Sequence, residues 1–233
     1  MWRYVYTTCL VRLGKERPCN AYSRDDSPPV GHAPGSSSPQ QPPRRYLCRR
    51  GCSQRPRRLL TVVTKSNAQR HGMVMWDEIA AEVAKEFPDV TWDKMLVDAM
   101  TVRMTLDPRS LDTIVATNLH ADILSDLAGA LAGSLGVAPT ANIDPERRFP
   151  SMFEPIHGSA FDITGKGNAN PVATFWTACQ MLEHLGEAAP AGRLVKAVED
   201  VCAAGIMTPD VGGKATTREV TDAVIASIRG SNE

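Results

Sequence analysis

No run of apolar residues in this 233-residue sequence approaches the ~18–20 needed to cross a bilayer, so a membrane-spanning helix is not expected and the chain reads as soluble. Net charge is absent too, the formal balance at pH 7 being zero. The G-x-G-x-x-G fingerprint of ordinary dinucleotide-binding folds is also missing. Cys48 and Cys52 could begin a zinc site, but no His or Cys pair follows at a suitable distance, which argues against zinc.

The zero balance conceals two kinds of sequence. Residues 1–58 hold 12 Lys+Arg against 3 Asp+Glu, and the remainder holds 14 against 23. Four of the six cysteines (Cys9, Cys19, Cys48, Cys52) lie in the basic part, whereas Cys179 and Cys202 sit in helix-like apolar patterns as small core residues. Residues 1–54 show no period, and "SPPVGHAPGSSSPQQPPRR" cannot bury enough apolar surface to offset its ordering entropy. This segment is expected to be disordered. Its arginine richness and lack of acids fit an organelle transit peptide, a basic tail for nucleic acid, or GC-rich DNA read in a wrong frame. The last reading is favoured over a transit peptide, and a nucleic-acid partner is disfavoured. A cytoplasmic location is expected, with mitochondrial targeting by the basic segment as the alternative.

From Leu59 the pattern is that of an α/β fold. "RLLTVVTKSN" predicts a short buried strand over Leu59–Val63 ending in a polar turn. "MVMWDEIAAEVAKEFPD" has helical spacing, with Trp76, Ile79, Val83 and Phe87 on one face and Pro88 after the stop. "TWDKMLVDAMTVRMTLDP" predicts a strand, then a helix or turn closing before Pro108. "DTIVATN" reads as a fully covered parallel strand, and a helix follows at Asn118. Residues 136–171, dense in Gly, Pro, Asn and Asp, read as one long loop of the kind that is usually functional or disordered. "VATFWTACQMLEHLG" is apolar almost all round, which predicts a buried helix with Gly186 just past its end. A helix over Arg193–Ala204 and another with a Thr216/Glu219 capping box, closing at Gly230, complete the pattern.

The helix "NLHADILSDLAGALAG" carries the first chemical signal. With 3.6 residues per turn, Asn118, Asp122 and Asp126 form one stripe. Like charges at i,i+4 repel unless a cation sits between them, and a few hard oxygen ligands plus water and substrate oxygens are how Mg²⁺ is usually held. Acids that favour the helix dipole explain Asp122 as well, though Asp126 less so. On spacing alone the two readings are even. Lys65 in a loop after a strand, Asp98 at a strand end and His157 beside Gly158 are individually weak signals, each with an ordinary structural explanation.

Taken together, "TVVTKSN", "VDAM", "NLHADILSDLAGALAGSLGVAPTANI", "FEPIHGSAFDITGKGNANP" and "TPDVGGKATT" resemble the β-decarboxylating dehydrogenases that act on isopropylmalate, isocitrate, and tartrate or D-malate. The resemblance runs from residue 55 to residue 233, and "RRFPSMFEPIHGSAFDITGKG" and "MLEHLGE" look closest to the tartrate/D-malate branch. It implies the C-terminal part of an isopropylmalate dehydrogenase-like α/β fold, NAD, Mg²⁺ or Mn²⁺, with K⁺ as a further cation, and a homodimer through the Asn118–Gly133 helix. It further implies Asp122 and Asp126 as metal ligands, with Asp98 as the metal aspartate contributed by the partner subunit. Lys65 matches the catalytic lysine, also presented across the dimer. His157, Gly158, Ser159 and Ala160 match the loop that wraps the adenosine, Asp162 the acid on the adenine-ribose hydroxyls, and Asn170 an adenine contact. Glu154 precedes that loop on the nicotinamide side. The implied reaction is oxidation of a 2R-hydroxy diacid followed by β-decarboxylation.

The family's N-terminal half has no counterpart, including the glycine-rich turn after the first strand, the substrate-clamping arginines, the glutamate-bearing nicotinamide loop and the tyrosine general acid. The chain as written is therefore expected to be an inactive fragment, with a non-catalytic pseudoenzyme or interaction protein on the same scaffold as the alternative. Two local departures stand out: Phe161, where the isopropylmalate branch usually has Pro, and Asn168, where an apolar Ile is usual.

Overall fold

A computed structural model describes residues 57–143 and 147–230. The basic segment 1–54, with its expected disorder, lies outside the described residues. The chain divides into two units, whose described residues fall in 57–125 with 142–151, and in 126–141 with 152–230.

The first unit is built on a three-stranded parallel sheet. Strand β1 is Leu59–Thr64, and helix α1 (Gly72–Ala84) leads to β2 (Thr91–Leu96). Helix α2 (Val97–Leu106) starts directly from β2, and β3 (Thr113–Val115) precedes helix α3 (Asn118–Leu131), which continues into the second unit from Asp126. The sheet order is β2-β1-β3, with β1 parallel to both neighbours. A central strand covered on both faces is rich in apolar and β-branched residues, and "LLTVVT" is buried from Leu60 to Thr64. On one face Leu60 and Val62 pack with Met73, Trp76 and Val90, supported by Val83, Phe87 and Trp92. The buried Trp76 indole N–H donates to the Val63 carbonyl, 3.0 Å away, which ties α1 to the sheet. Met100 and Met104 of α2 are fully buried.

The expected strand at Leu59–Val63, the helix carrying Trp76 and the strand–helix passage at "KMLVDAM" all form. Phe87 lies past the end of α1 but still packs on its core.

The second unit holds strands β4 (Pro139–Asn142) and β5 (Met152–Pro155), paired with each other, and helices α4 (Val172–Leu185), α5 (Ala188–Ala203) and α6 (Thr217–Gly230). The reading of 136–171 as one long loop is therefore corrected: it contains both strands. Each is only four residues long, too short to show a period, and they pair across a sequence gap no local pattern reveals. Helix α5 packs on both α4 and α6, with Ala197, Val201, Val220 and Val224 at the centre and Phe175 and Leu194 at its edge. It begins five residues before the expected Arg193, at Ala188, because Pro190 falls in its first turn, where a missing N–H costs nothing.

Helix α4 ends as expected at Gly186, which takes the left-handed conformation with φ of 94°. Its burial is only partial, since Met181 and Leu185 stay exposed. Cys179 is buried and Cys202 half-buried, as small core residues are, and burial together with nearby Glu183 pushes the Cys179 thiol up to about 11. The capping box forms as read: the Glu219 carboxylate accepts from Thr216 N at 2.7 Å, and the Thr216 hydroxyl accepts from Glu219 N at 3.2 Å.

Asn168 is the departure with a structural cost. Its Oδ1 is buried with no hydrogen-bond partner among the described residues. An unmet buried polar atom costs about 1–3 kcal/mol, so Asn168→Ile is expected to raise unfolding stability by about 1 kcal/mol in denaturant titration. A fall in stability would mean that solvent reaches this amide.

Candidate active site

In a parallel sheet all C-terminal strand ends lie on one edge, where open α/β sheets bind ligands. Thr64 of β1 pairs with Leu96 of β2 at that edge. Lys65 is one residue past the first and Asp98 two past the second, and their side chains meet, Nζ 2.5 Å from Oδ1. The hydrogen bond from Lys65 holds the Asp98 carboxyl below its usual 3.8.

Beyond β3, helix α3 turns one face inward through His120, Ala121, Leu124, Ser125 and Ala128. The opposite stripe, with Asn118, Leu119, Asp122, Ile123 and Asp126, is exposed. Asp122 and Asp126 are thus one turn apart on an exposed face, flanked by two large apolar side chains. They offer hard oxygen donors of the right kind for Mg²⁺ or Mn²⁺. Among the described residues no three His, Cys, Asp or Glu side chains come together, so Asp98 does not join the α3 pair within one chain.

The second unit carries the other set. Glu154 is exposed on β5, and the chain continues through Ile156, whose N–H donates to the Ala138 carbonyl at 3.0 Å. His157 is half-buried, with Nδ1 3.0 Å from the Gly158 carbonyl oxygen. Gly158, Ser159, Ala160 and Asp162 are exposed, and among the described residues nothing stands within 4 Å of where a Gly158 Cβ would be. The backbone turns sharply here, Ala160 taking a positive φ of 43° and Ile163 N donating to its carbonyl at 3.0 Å. The far end is tied down: Thr217 N donates to the Gly167 carbonyl at 2.9 Å, and its hydroxyl to the Ala169 carbonyl at 2.5 Å. The loop thus carries an exposed carboxylate, Asp162, and is anchored at its exit. Asn170 differs from its neighbours in being buried, with its amide hydrogen-bonded inside the unit.

Two groups were missed by reading the sequence. His120 lies on the buried face of α3 with Nδ1 unpartnered among the described residues, and burial, then the Lys65 charge, holds its imidazole below 6.5. Only its helical spacing from Leu124 signals this. Asp210, inside the quoted "TPDVGG" stretch, accepts from Ser134, Thr208 and Asn170.

This arrangement belongs to a known class. Residues 50–224 match the isocitrate/isopropylmalate dehydrogenase family, and the chain belongs to it. Over 178 residues (76% of this chain, 50% of the relative) it is 86% identical to a probable tartrate dehydrogenase/decarboxylase of Agrobacterium vitis. It is 47% identical over 176 residues (73% of this chain, 48% of the relative) to the D-malate dehydrogenase [decarboxylating] of Escherichia coli K12. The chain thus spans about half the length of these curated relatives. Among solved structures, an isocitrate dehydrogenase from Methylococcus capsulatus superposes with a TM-score of 0.76 at 30% identity, covering 96% of this chain and 72% of that one. The expected family and fold class are shown, and the branch resemblance agrees with the names of these relatives. No helix among the described residues is long and apolar enough to cross a membrane.

The Lys65–Asp98 pair sets a sign for pH dependence. Because pairing lowers the Asp98 value in the folded chain, its contribution is present above 3.8 and is lost as pH falls through the lower folded value. Carboxyl-carbon NMR is expected to place the Asp98 midpoint below 3.8, and Lys65→Met to move it back toward 3.8. An unmoved midpoint in that variant would show that the two side chains do not pair in solution.

Proposed function

We propose that these residues serve NAD-dependent oxidation and β-decarboxylation of a 2R-hydroxy diacid with a divalent metal. The observation that carries the reading is the Lys65–Asp98 contact. The family resemblance sends both residues to the partner's site, and two groups with one destination should leave the chain side by side. The names of the relatives, tartrate dehydrogenase/decarboxylase and D-malate dehydrogenase, support a small hydroxy diacid as substrate.

In this reading Asp122 and Asp126 hold the metal from one chain and Asp98 from a second copy. The apolar flanks support that second copy: Leu119 and Ile123 of α3 are 62% and 53% exposed, and Val102 and Leu106, one and two turns beyond Asp98 on α2, are 57% and 78% exposed. Large apolar side chains in contiguous stripes mark surfaces that another protein covers. When bound, the metal supplies a Lewis acid that polarises the C2 carbonyl and accepts electron density as the carboxylate departs. Lys65 would take the hydroxyl proton, directly or through water, as the neutral amine left after its own proton has passed to solvent, and Asp98 would be among the residues holding the metal. His157, Gly158, Ser159 and Ala160 wrap the adenosine of NAD, which accepts the hydride, and Glu154 shapes the nicotinamide side. Asp162 accepts from both ribose hydroxyls and repels a 2′-phosphate.

Mn²⁺ titration followed by water-proton relaxation tests the metal half. Asp126→Ala is expected to weaken binding more than about tenfold in a folded dimer, since even outer-shell changes cost 10–100-fold. Mixing Asp126→Ala chains with Asp98→Ala chains should restore part of it, because mixed dimers carry one intact site. Unchanged affinity in Asp126→Ala removes the metal assignment.

The nucleotide half is tested by equilibrium binding of NAD and NADP. Asp162→Ala should narrow a preference for NAD, because a carboxylate matches a diol and opposes a phosphate. Wild-type preference for NADP would overturn the role given to Asp162.

A further inference from the structure

The second unit contains a carboxylate that the proposed chemistry does not use. Asp210 lies in the short turn Pro209–Val211, ahead of α6. Its Oδ2 accepts from Asn170 Nδ2 at 2.9 Å and from the Ser134 hydroxyl, and its Oδ1 accepts from the Thr208 hydroxyl at 2.5 Å. Ser134 is fixed in turn by accepting from Gly136 N at 2.9 Å. A Cβ on Gly136 would stand 2.7 Å from Asn170 Cβ and 3.0 Å from Asp210 Oδ2, so the backbone closes on the cluster where only glycine fits. Burial raises the Asp210 carboxyl, but the hydrogen bonds from Ser134, Thr208 and Asn170 outweigh it and hold the group below 3.8.

The cluster joins three stretches of chain: the one after α3, the exit of the nucleotide loop, and the turn before α6. Its link to the loop is Asn170, which is 9% exposed. The carbonyl oxygen of the Asn170 side chain accepts from Val172 N at 3.0 Å, at the start of α4, and its amide nitrogen donates to Asp210. For this amide to reach an adenine edge it would have to give up a hydrogen bond to an ionised carboxylate, among the stronger kinds in proteins.

We propose that Asp210 is a positioning residue for the nucleotide loop, holding the Asn170 amide inward so that the loop presents backbone, and not that side chain, to the adenosine. This rests on the nucleotide reading above. It makes Asp210 matter for cofactor affinity without touching the cofactor, and it takes the Asn170 side chain out of direct adenine recognition.

The test is ADP-ribose binding to the full chain by calorimetry. Asp210→Asn sets amide against amide and is expected to weaken binding about tenfold, the scale of one charge-assisted hydrogen bond. The double variant Asp210→Asn/Asn170→Asp restores the bond with donor and acceptor exchanged, and it keeps an acceptor for Val172 N. Its binding should return to within about threefold of wild type, as coupled pairs recover when their interaction is rebuilt. If the Asn170 amide itself reads adenine, the double variant stays weak and the proposal falls. Equal binding by wild type and Asp210→Asn overturns it as well. The double variant decides the matter even where Asp210→Asn alone does not fold. A wild-type chain that does not bind ADP-ribose overturns the nucleotide reading itself, and the role of Asp210 with it, whereas the other two failures leave that reading standing.

Discussion

The parallel register of β1 against β2 and β3 is the constraint on which the first unit depends. Parallel strands deliver every C-terminal end to the same edge, so the residues just beyond them meet whatever their separation in sequence. Thr64 opposite Leu96 puts Lys65 and Asp98 together across a sequence gap of 33 residues. Because β1 is central, its "LLTVVT" has to be buried on both faces, and Trp76 and Val90 on one side are part of what keeps it so. A slip of one residue in this register would turn β1's side chains to the opposite faces of the sheet and part the lysine from its aspartate.

That explains which features were legible in sequence. Strand β1 and helices α1, α4 and α6 announce themselves, because a continuous apolar run, a helical apolar spacing or a capping box is a local pattern. Lys65 and Asp98 could be named only through family resemblance. Their meeting depends on strand pairing between segments 33 residues apart, and neither "VTKSN" nor "LVDAM" says that the other is near. Strands β4 and β5 were invisible for the same reason at smaller scale. Helix α5 starts at Ala188, ahead of the expected Arg193, and Pro190 is tolerated there because in a first turn it removes only an N–H that has no helical partner.

Helix α3 shows a pattern that period alone misjudges. Its sequence looks apolar enough to be buried all round, and the acids look out of place in it. Its inward face is made of His120, Ala121, Leu124, Ser125 and Ala128, leaving Leu119 and Ile123 outward on the same side as Asp122 and Asp126. Two apolar side chains and two carboxylates on one exposed face make sense as a single surface. The first pair gains by being covered, whereas carboxylates lose by being covered unless their charge is compensated. A partner's stripe of Val102 and Leu106 would meet the first need, and a divalent cation shared with that partner's Asp98 would meet the second.

The second unit solves a different problem, which is to hold a loop still while leaving it open. The Gly158–Asp162 stretch is exposed, and its sharp turn at Ala160 uses a conformation that an L side chain adopts at some cost. Such a turn persists only where its surroundings over-determine it. The restraint lies downstream, in the Thr217 contacts to Gly167 and Ala169 and in the buried amide of Asn170, which Asp210 and the start of α4 hold from opposite ends. Order at the exit of the loop lowers the entropy to be lost when a ligand meets its exposed part. The polar groups that secure it sit in "TPDVGG" and after α3, far from the loop in sequence, so the physical basis of the loop is less legible than the loop itself.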